Sequence, residues 1–145
     1  MEKIEKLKKI FKREKIDGYI IPKNDEFFGE YVPDHNDRLN FISNFSGSYG
    51  LALILKNKNY LFVDGRYTLQ ANNQSKKFFK VFTIPDQMPS DVLSKKKLLI
   101  GFDPNLFTKK SLSIFFGKSE CKYKPILKNL IDEIWKRKIK IKESK

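Results

Sequence analysis

The sequence predicts a single α/β domain with a mixed β-sheet that contains one hairpin and is flanked by helices. Short apolar runs alternate with helix-like patterns along the chain, as they do in α/β proteins. Two of these runs are separated by only four polar residues, which is typical of a β-hairpin. The chain has 145 residues, enough for one core and too few for two. We expect the domain over residues 1–135 and a disordered basic tail over 136–145.

The chain is expected to begin with a helix and a buried strand. Apolar residues recur at helical spacing over residues 2–15, with lysines on the other face, and this pattern predicts an amphipathic helix. Residues 18–22 begin with glycine, are apolar in the middle and end with proline, which predicts a short strand. The polar segment over 23–38 is expected to be a loop with one helical turn.

The predicted hairpin follows a glycine-rich turn over residues 46–50. The apolar runs over 51–55 and 60–63 are its strands, and the asparagine-rich residues 56–59 are its turn. Asp64 directly follows the second strand. Its carboxylate is placed to cap a helix, because it can accept hydrogen bonds from backbone amides two or three residues later.

The second half of the chain repeats the alternation of strands and helices. The helix after Asp64 is expected over residues 66–74 and to pack through Leu69 and Ala71. The remaining elements are expected as follows: a strand over 78–83, a short helix over 89–93, a strand over 98–102, a helix capped by Thr108 and ended by Gly117, an extended segment over 121–127 and a short helix from Leu130 to Trp135.

The net charge of +13 raises the hypothesis of a nucleic-acid-binding protein, because clustered cations release counterions from a phosphate backbone. Only four of the 30 basic residues are arginine, whereas recognition of bases and phosphates favours the bidentate guanidinium. The lysines are also spread along the chain. A solvated lysine-rich surface is therefore the favoured interpretation, and nucleic acid is not an expected partner.

The sequence also bears on where the protein acts and on whether it contains a disulfide or a zinc site. The charged N-terminal residues lead into no apolar segment, so no signal peptide is expected. No run approaches the ~20 apolar residues of a membrane-spanning helix. We therefore predict a cytoplasmic protein without a membrane partner. One cysteine and one histidine exclude an intramolecular disulfide and a His/Cys zinc cluster.

No pattern in the chain predicts a catalytic residue, a bound cofactor or a metal site. The glycine-rich turn over 46–50 precedes a strand and lacks the Gly-Lys-Ser/Thr of a P-loop, so a tight turn is favoured over a phosphate-binding loop. His35 has no nucleophile at a recognisable spacing and is interpreted as a loop residue. Cys121 is interpreted as a small buried apolar residue.

Three charged residues remain candidates for contact with a ligand. Asp64 and Arg66 could supply a carboxylate and a guanidinium, although a helix cap is favoured for Asp64 and a surface position for Arg66 is equally open. Arg38 could bind a substrate carboxylate. Pairing of Arg38 with an aspartate of the preceding loop, Asp34 or Asp37, is the favoured interpretation, and an exposed pair of this kind would contribute little stability.

Seven short motifs occur in order along the chain: Asp17-Gly-Tyr-Ile-Ile-Pro22, Glu30-Tyr-Val-Pro33, Arg38, Phe41-Ile-Ser-Asn-Phe-Ser-Gly-Ser-Tyr-Gly50, Val63-Asp-Gly-Arg-Tyr67 with Gln70-Ala71, Gly101-Phe-Asp-Pro104 and Asn129-Leu-Ile-Asp-Glu-Ile-Trp135. Together they resemble the amino-terminal domain of Xaa-Pro aminopeptidases, the creatinase/prolidase N-terminal domain. The resemblance runs from the first helix to Trp135 and is greatest to the three-domain aminopeptidase P type. Each motif alone is weak evidence, but their shared order is strong.

The resemblance implies an α/β domain that precedes a "pita-bread" metallopeptidase domain, which binds two metal ions, usually manganese, through two Asp, one His and two Glu. That catalytic domain is missing from this chain, which by itself is expected to be inactive. The family's N-terminal domain shapes access to the active site and takes part in dimer contacts. The resemblance therefore implies a substrate-access or interface role for Arg38, Asp64, Arg66 and Tyr67. The expected partners are a catalytic domain, in the same or a separate chain, and a second copy of the chain.

Three positions depart from the family pattern. Asn44 replaces a glycine and can still adopt a positive φ. Tyr49 replaces a small residue and changes packing or a surface, and Phe27 replaces a histidine and makes a polar role there doubtful. A stand-alone interaction module and a truncated or split-gene product remain alternatives. A basic nucleic-acid-binding protein is the least favoured alternative.

Overall fold

The computed structural model describes residues 2–24 and 32–136. The elements in chain order are α1 (Glu2–Glu14), β1 (Gly18–Pro22), a 3-10 turn (Asp34–Asn36), α2 (Arg38–Ser43), β2 (Gly50–Leu55), β3 (Asn59–Asp64), a second 3-10 turn (Gly65–Tyr67), α3 (Thr68–Ser75), β4 (Lys80–Ile84), α4 (Pro89–Val92), β5 (Leu99–Phe102), α5 (Lys109–Phe116), β6 (Lys122–Pro125) and α6 (Leu130–Ile134). The predicted α/β class and mixed sheet are confirmed. Phe27 and nearly all of the predicted tail lie outside the described residues.

The six strands form one mixed sheet in the order β4-β3-β2-β1-β5-β6. The predicted hairpin is confirmed, since β2 and β3 pair antiparallel. β2 also pairs antiparallel with β1, whereas the other three pairings are parallel. β2 therefore runs opposite to the other five strands. The carboxyl ends of those five strands and the start of β2 meet at one edge of the sheet, which we call the carboxyl edge. The opposite edge is the amino edge.

Helices cover both faces of the sheet, because successive strand residues point to opposite sides. On β1, Tyr19 and Ile21 face a core completed by α1, α2, α3 and α6, whereas Ile20 faces a second core completed by α4 and α5. The first core is anchored by Leu7 of α1, and the second by Phe116 of α5; both side chains are buried. The result is a three-layer domain with two apolar cores.

Two local features differ from the predictions. No helix was predicted where α2 lies. The start of α2 is capped by Asp37, whose carboxylate accepts a hydrogen bond from the Asn40 amide at 3.0 Å. This helix ends at Asn44, whose φ of 68° confirms the expected positive φ. The prediction that Leu69 packs inward was wrong, because its side chain is 75% exposed. Ala71, the other predicted packing residue of α3, is buried.

Candidate functional site

Three of the four predicted site residues lie together at the carboxyl edge of the sheet. Asp64 is the last residue of β3, and Arg66 and Tyr67 follow it in the second 3-10 turn. The turn exists because the Asp64 carboxylate accepts a hydrogen bond from the Arg66 amide at 2.9 Å, as an N-cap does. The predicted cap is therefore present, but it starts the 3-10 turn and the α-helix begins only at Thr68.

Asp64 and Arg66 form an exposed ion pair. The Arg66 Nε lies 3.2 Å from the Asp64 Oδ1, and the Arg66 side chain is 74% exposed. The hydrogen bond from the Arg66 amide, and secondarily its guanidinium, lowers the pKa of the Asp64 carboxyl. This pair adds little stability in water. Most of the guanidinium surface remains open to another molecule.

Tyr67 connects this turn to the glycine-rich turn before β2. Its phenol shares a hydrogen bond with the Ser48 hydroxyl, and its ring packs edge-on against the ring of Phe45. The guanidinium of Arg66 lies 5.3 Å from the centre of the Tyr67 ring, a cation–π distance. Tyr67 therefore holds Arg66 from one side and the 46–50 turn from the other.

The glycine-rich turn itself is tied down by hydrogen bonds within the domain. The Ser46 amide donates to the Gln74 side-chain oxygen at 3.0 Å, and the Gln70 amide group donates to the Ser46 hydroxyl at 3.0 Å. A Cβ on Gly47 would lie 2.3 Å from the Phe45 ring, so only glycine lets the turn cross that ring. These contacts support the tight-turn interpretation over a phosphate-binding loop.

Arg38 lies elsewhere, and the favoured pairing with Asp34 or Asp37 is wrong. Its side chain is 2% exposed and its Nε lies 2.9 Å from the Oδ1 of Asp132 in α6. Asp37 instead accepts from Lys23 at 2.6 Å. The aspartates just before Arg38 in the sequence suggested a local pair. The fold instead brings α6, and with it Asp132, to the start of α2.

Two clefts open at the carboxyl edge, and Asp64 and Arg66 line one of them. One has a volume of about 410 Å³ and is lined by Asp64, Arg66 and apolar side chains of the β4–α4 and α5 segments, including Met88 and Ile114. The other has a volume of about 400 Å³ and is lined by the end of β1, the start of β2 and the segment that leads from β5 into α5. Tyr49 and Phe115 line both clefts. The carboxyl end of strands is where open α/β sheets bind ligands.

Tyr49 is the main residue of this edge that sequence reasoning did not place. Its side chain is 42% exposed, although it lies between the two clefts, and Ile114 beside it is also exposed. Burial, and secondarily the charge of Asp64, raises the pKa of the Tyr49 phenol. The only signal in the sequence was a tyrosine at a position where a small residue is usual. An exposed aromatic and an exposed aliphatic side chain around an open arginine favour contact with another protein segment.

The described residues contain no grouping of three or more His, Cys, Asp or Glu side chains that could hold a metal ion. Cys121 is buried, as expected, and its thiol donates to the Lys96 carbonyl at 3.3 Å. His35 is an exposed residue of the first 3-10 turn. None of the helices in the described part of the chain has the length and apolarity needed to cross a membrane.

Comparison with known proteins identifies the same relatives at the level of sequence and structure. Residues 3–126 match the Creatinase/Prolidase N-terminal domain. The chain is 34% identical over 139 residues to a probable Xaa-Pro aminopeptidase P of Coprinopsis cinerea, an alignment that covers 89% of this chain and 22% of that protein. The chain thus spans about a fifth of the length of this relative.

Solved structures give the same result. The X-prolyl aminopeptidase from Caenorhabditis elegans, a cytosolic enzyme with a di-nuclear active site, superposes with a TM-score of 0.83 and 31% identity, over 92% of this chain and 25% of that one. The N-terminal domain of the cytoplasmic peptidase PepQ from Mycobacterium tuberculosis shares the fold with a TM-score of 0.71 and 19% identity, over 92% of this chain and 98% of that one.

Proposed function

The chain belongs to the Creatinase/Prolidase N-terminal domain family, and we propose that it serves as the non-catalytic N-terminal domain of an Xaa-Pro aminopeptidase-like metallopeptidase. The observation that carries this proposal is the pattern of coverage: 89% of the chain aligns with 22% of an Xaa-Pro aminopeptidase. The rest of such a protein is the catalytic part, which would be supplied by the same protein or by a separate chain.

The carboxyl edge is the surface through which the domain would contact that catalytic part. Asp64, Arg66 and Tyr67 form a fixed polar group there, and Tyr49 and Ile114 add exposed apolar surface. Arg66 combines a restrained position with an open guanidinium, which suits recognition of a carboxylate across an interface. In this arrangement the edge shapes access to the active site. Arg38 would act indirectly, by holding α2 against α6.

The two metal ions of such an enzyme, which we propose to be manganese, would be held by the catalytic part. The described residues do not fit a metal centre, so no chemical step is assigned to them. We further propose that the assembled enzyme is a cytoplasmic dimer. Two features support this: the C. elegans relative is a cytosolic enzyme, and the exposed apolar residues at the carboxyl edge are typical of interfaces.

A domain exchange tests the function directly. The chain would replace the N-terminal domain of the C. elegans X-prolyl aminopeptidase, and release of the N-terminal residue from an Xaa-Pro peptide would be measured with manganese. We expect an active hybrid and no activity of the chain alone. Metal-dependent turnover by the chain alone would contradict the proposal, as would an intact but inactive hybrid.

A matched pair of variants tests the surface within this hybrid. Tyr49→Ser removes an exposed ring from the two clefts, and we expect it to lower activity. Leu127→Ser removes another large exposed side chain, which is 81% exposed and lines neither cleft. The Leu127 variant should behave like the parent hybrid. Equal losses from both substitutions would show that the two clefts have no special role.

A further inference from the structure

Five exposed lysines from three separate segments of the chain lie together at the amino edge of the sheet. We call them the basic edge: Lys56, Lys58, Lys80, Lys96 and Lys97. The first two belong to the hairpin turn, Lys80 begins β4, and the last two precede β5. Because β2 runs opposite to its neighbours, the end of β2 and the starts of β3, β4 and β5 meet at this edge.

The contacts show that these lysines share one surface. Lys56, Lys58, Lys96 and Lys97 line a single cleft of about 430 Å³, together with Tyr60 and Asp17. The Lys80 Nζ lies 5.5 Å from the centre of the Phe82 ring. That ring stacks on Tyr60, with the ring centres 5.8 Å apart. Lys80 therefore extends the lysine-lined cleft towards the edge of the sheet.

Few acidic groups oppose this charge. Asp17 lies 3.3 Å from the Lys56 Nζ, and its other carboxylate oxygen accepts a hydrogen bond from the Leu99 amide at 2.9 Å. Asp17 is thus already used to join the start of β5 to β1. Glu120 lies in the turn before β6 and is a second acidic residue near this edge, because the thiol of the next residue, Cys121, contacts the Lys96 carbonyl. The basic edge keeps a large positive excess that attracts polyanions.

An exposed aromatic side chain lies beside the basic edge. Phe78 is 37% exposed, and its carbonyl accepts a hydrogen bond from the Asn59 side chain at 3.0 Å. Phe78 is therefore held next to Lys58 at the start of β3. The Lys77 Nζ lies 5.4 Å from the centre of the Phe78 ring. An exposed ring bordered by cations is the combination on which the bases of single-stranded nucleic acids stack.

We propose that the basic edge binds single-stranded nucleic acid without base specificity. Ammonium groups contact phosphates as point charges and lack the planar fork that reads base edges. From β4 to β5 the edge spans four inter-strand steps, or roughly 19 Å, which is long enough to follow several nucleotides. The surface is at the opposite end of the sheet from Asp64 and Arg66. Both edges can therefore be occupied at once, and this inference does not depend on the proposed function.

A membrane surface is a poorer fit for the same charges. Binding to a bilayer is strengthened by apolar side chains that enter the headgroup region beside the cations. The exposed large aliphatic side chains among the described residues are Leu69, Ile114 and Leu127. Leu69 is at the start of α3, Ile114 is in α5 beside the carboxyl-edge cleft, and Leu127 is in the segment after β6. The amino edge offers only Phe78.

The test uses the full 145-residue chain and a fluorescently labelled 15-nucleotide RNA of mixed sequence, with binding followed by anisotropy. If five phosphates are contacted, raising salt from 50 to 200 mM should weaken binding by about 100-fold, because each phosphate adds roughly 0.7 to the slope of log affinity against log salt. A second RNA of unrelated sequence should bind equally well. Absence of binding at 50 mM salt would overturn the proposal.

Matched variants separate this edge from the overall charge. Lys58→Gln with Lys96→Gln and Lys97→Gln should reduce the salt slope by about 2. Replacing three exposed lysines elsewhere, Lys9, Lys109 and Lys110, with Gln removes the same charge and should leave the slope nearly unchanged. Far-ultraviolet circular dichroism checks that both variants are folded. Equal losses in the two variants would overturn the proposal.

Two further ligands decide between classes of partner. Phe78→Ser should weaken RNA binding and should not change binding of heparin, which has no bases to stack. Vesicles with 30% anionic lipid should bind more weakly than RNA at equal salt. Tighter binding of the vesicles, with the same dependence on Lys58, Lys96 and Lys97, would overturn the proposal in favour of a membrane surface.

Discussion

The guanidinium of Arg38 forms a two-pronged ion pair with the carboxylate of Asp132, 94 residues later in the chain. Its Nε lies 2.9 Å from Oδ1, and its Nη2 lies 3.1 Å from Oδ2. Arg38 begins α2, and Asp132 lies in α6. The pair therefore joins two helices of the same layer. The Arg38 side chain is almost completely buried, and this contact places a negative charge directly beside its positive charge.

The first prediction follows from that burial. Asp132→Asn removes a countercharge of a buried guanidinium, and we expect the free energy of unfolding to fall by about 2–3 kcal/mol. The cost stays below that of a fully buried pair, since Asp132 is about one-third exposed. Urea unfolding measures it. Asp34→Asn, which changes one of the partners suggested by the sequence, should stay within about 0.5 kcal/mol of the parent chain.

A second prediction concerns acid sensitivity. Two nitrogens of Arg13 lie 2.9 and 2.7 Å from the carboxylate of Glu133, joining α1 to α6. These hydrogen bonds lower the pKa of the Glu133 carboxyl. A carboxyl with a lowered pKa in the folded state adds stability above its unfolded pKa, and this stability is lost as the pH falls through the folded value.

Glu133→Gln should therefore lose less stability than the parent chain when the pH is lowered from 7 to 3. Urea unfolding at both pH values gives the comparison. Glu2→Gln, a change at an exposed residue of α1, provides the control and should retain the acid sensitivity of the parent. An equal loss of stability in the Glu133 variant and the parent would contradict the prediction.

A third prediction concerns the contact between two of the sequence motifs. The Asn129 side-chain amide donates to the Asp103 carboxylate at 2.8 Å, and its oxygen accepts from the Ile131 amide at 2.9 Å. Asn129 thus caps α6 and also satisfies a buried carboxylate. Asn129→Ala removes both interactions and should cost about 2 kcal/mol in unfolding free energy. Asn105→Ala, at an exposed position nearby, should be nearly neutral.

A fourth prediction separates folding from function at Arg66. Arg66→Ala removes an exposed guanidinium, so the melting temperature of the chain should not change. In the hybrid enzyme the same change should lower kcat/KM by about tenfold, the loss of a typical hydrogen bond to a charged group. Arg66→Lys should recover only part of this activity, because it keeps the charge without the fork. Full activity of the Ala variant would show that Arg66 makes no contact outside the domain.

Local signals were sufficient for most of the secondary structure. The four polar residues between two apolar runs predicted the hairpin, and Thr108 predicted the start of α5, where its hydroxyl accepts from the Ser111 amide at 3.0 Å. These features depend on neighbours a few residues apart, which a sequence displays directly. The missed helix α2 is short, and its capping residue Asp37 followed a polar loop that obscured the boundary.

The candidate site could be predicted only in part, because only some of its residues are close together in the sequence. One short motif contains three residues of the site, Asp64, Arg66 and Tyr67. The structure places all three at the carboxyl edge. Tyr49 and Ile114 come from distant segments, so their shared cleft has no pattern in the sequence. Leu69 was expected to pack inward as an apolar residue of this helix, whereas the position of α3 on the sheet turns that side chain to solvent.

By itself the sequence determined the fold class, the order of most elements and, through its ordered motifs, the family. The tertiary structure alone decided which charges meet. Arg38 took a partner 94 residues away, and lysines that are spread along the chain came together at the amino edge. Electrostatic contacts depend on distance in space, and that distance is determined by strand order and direction, which no local pattern encodes.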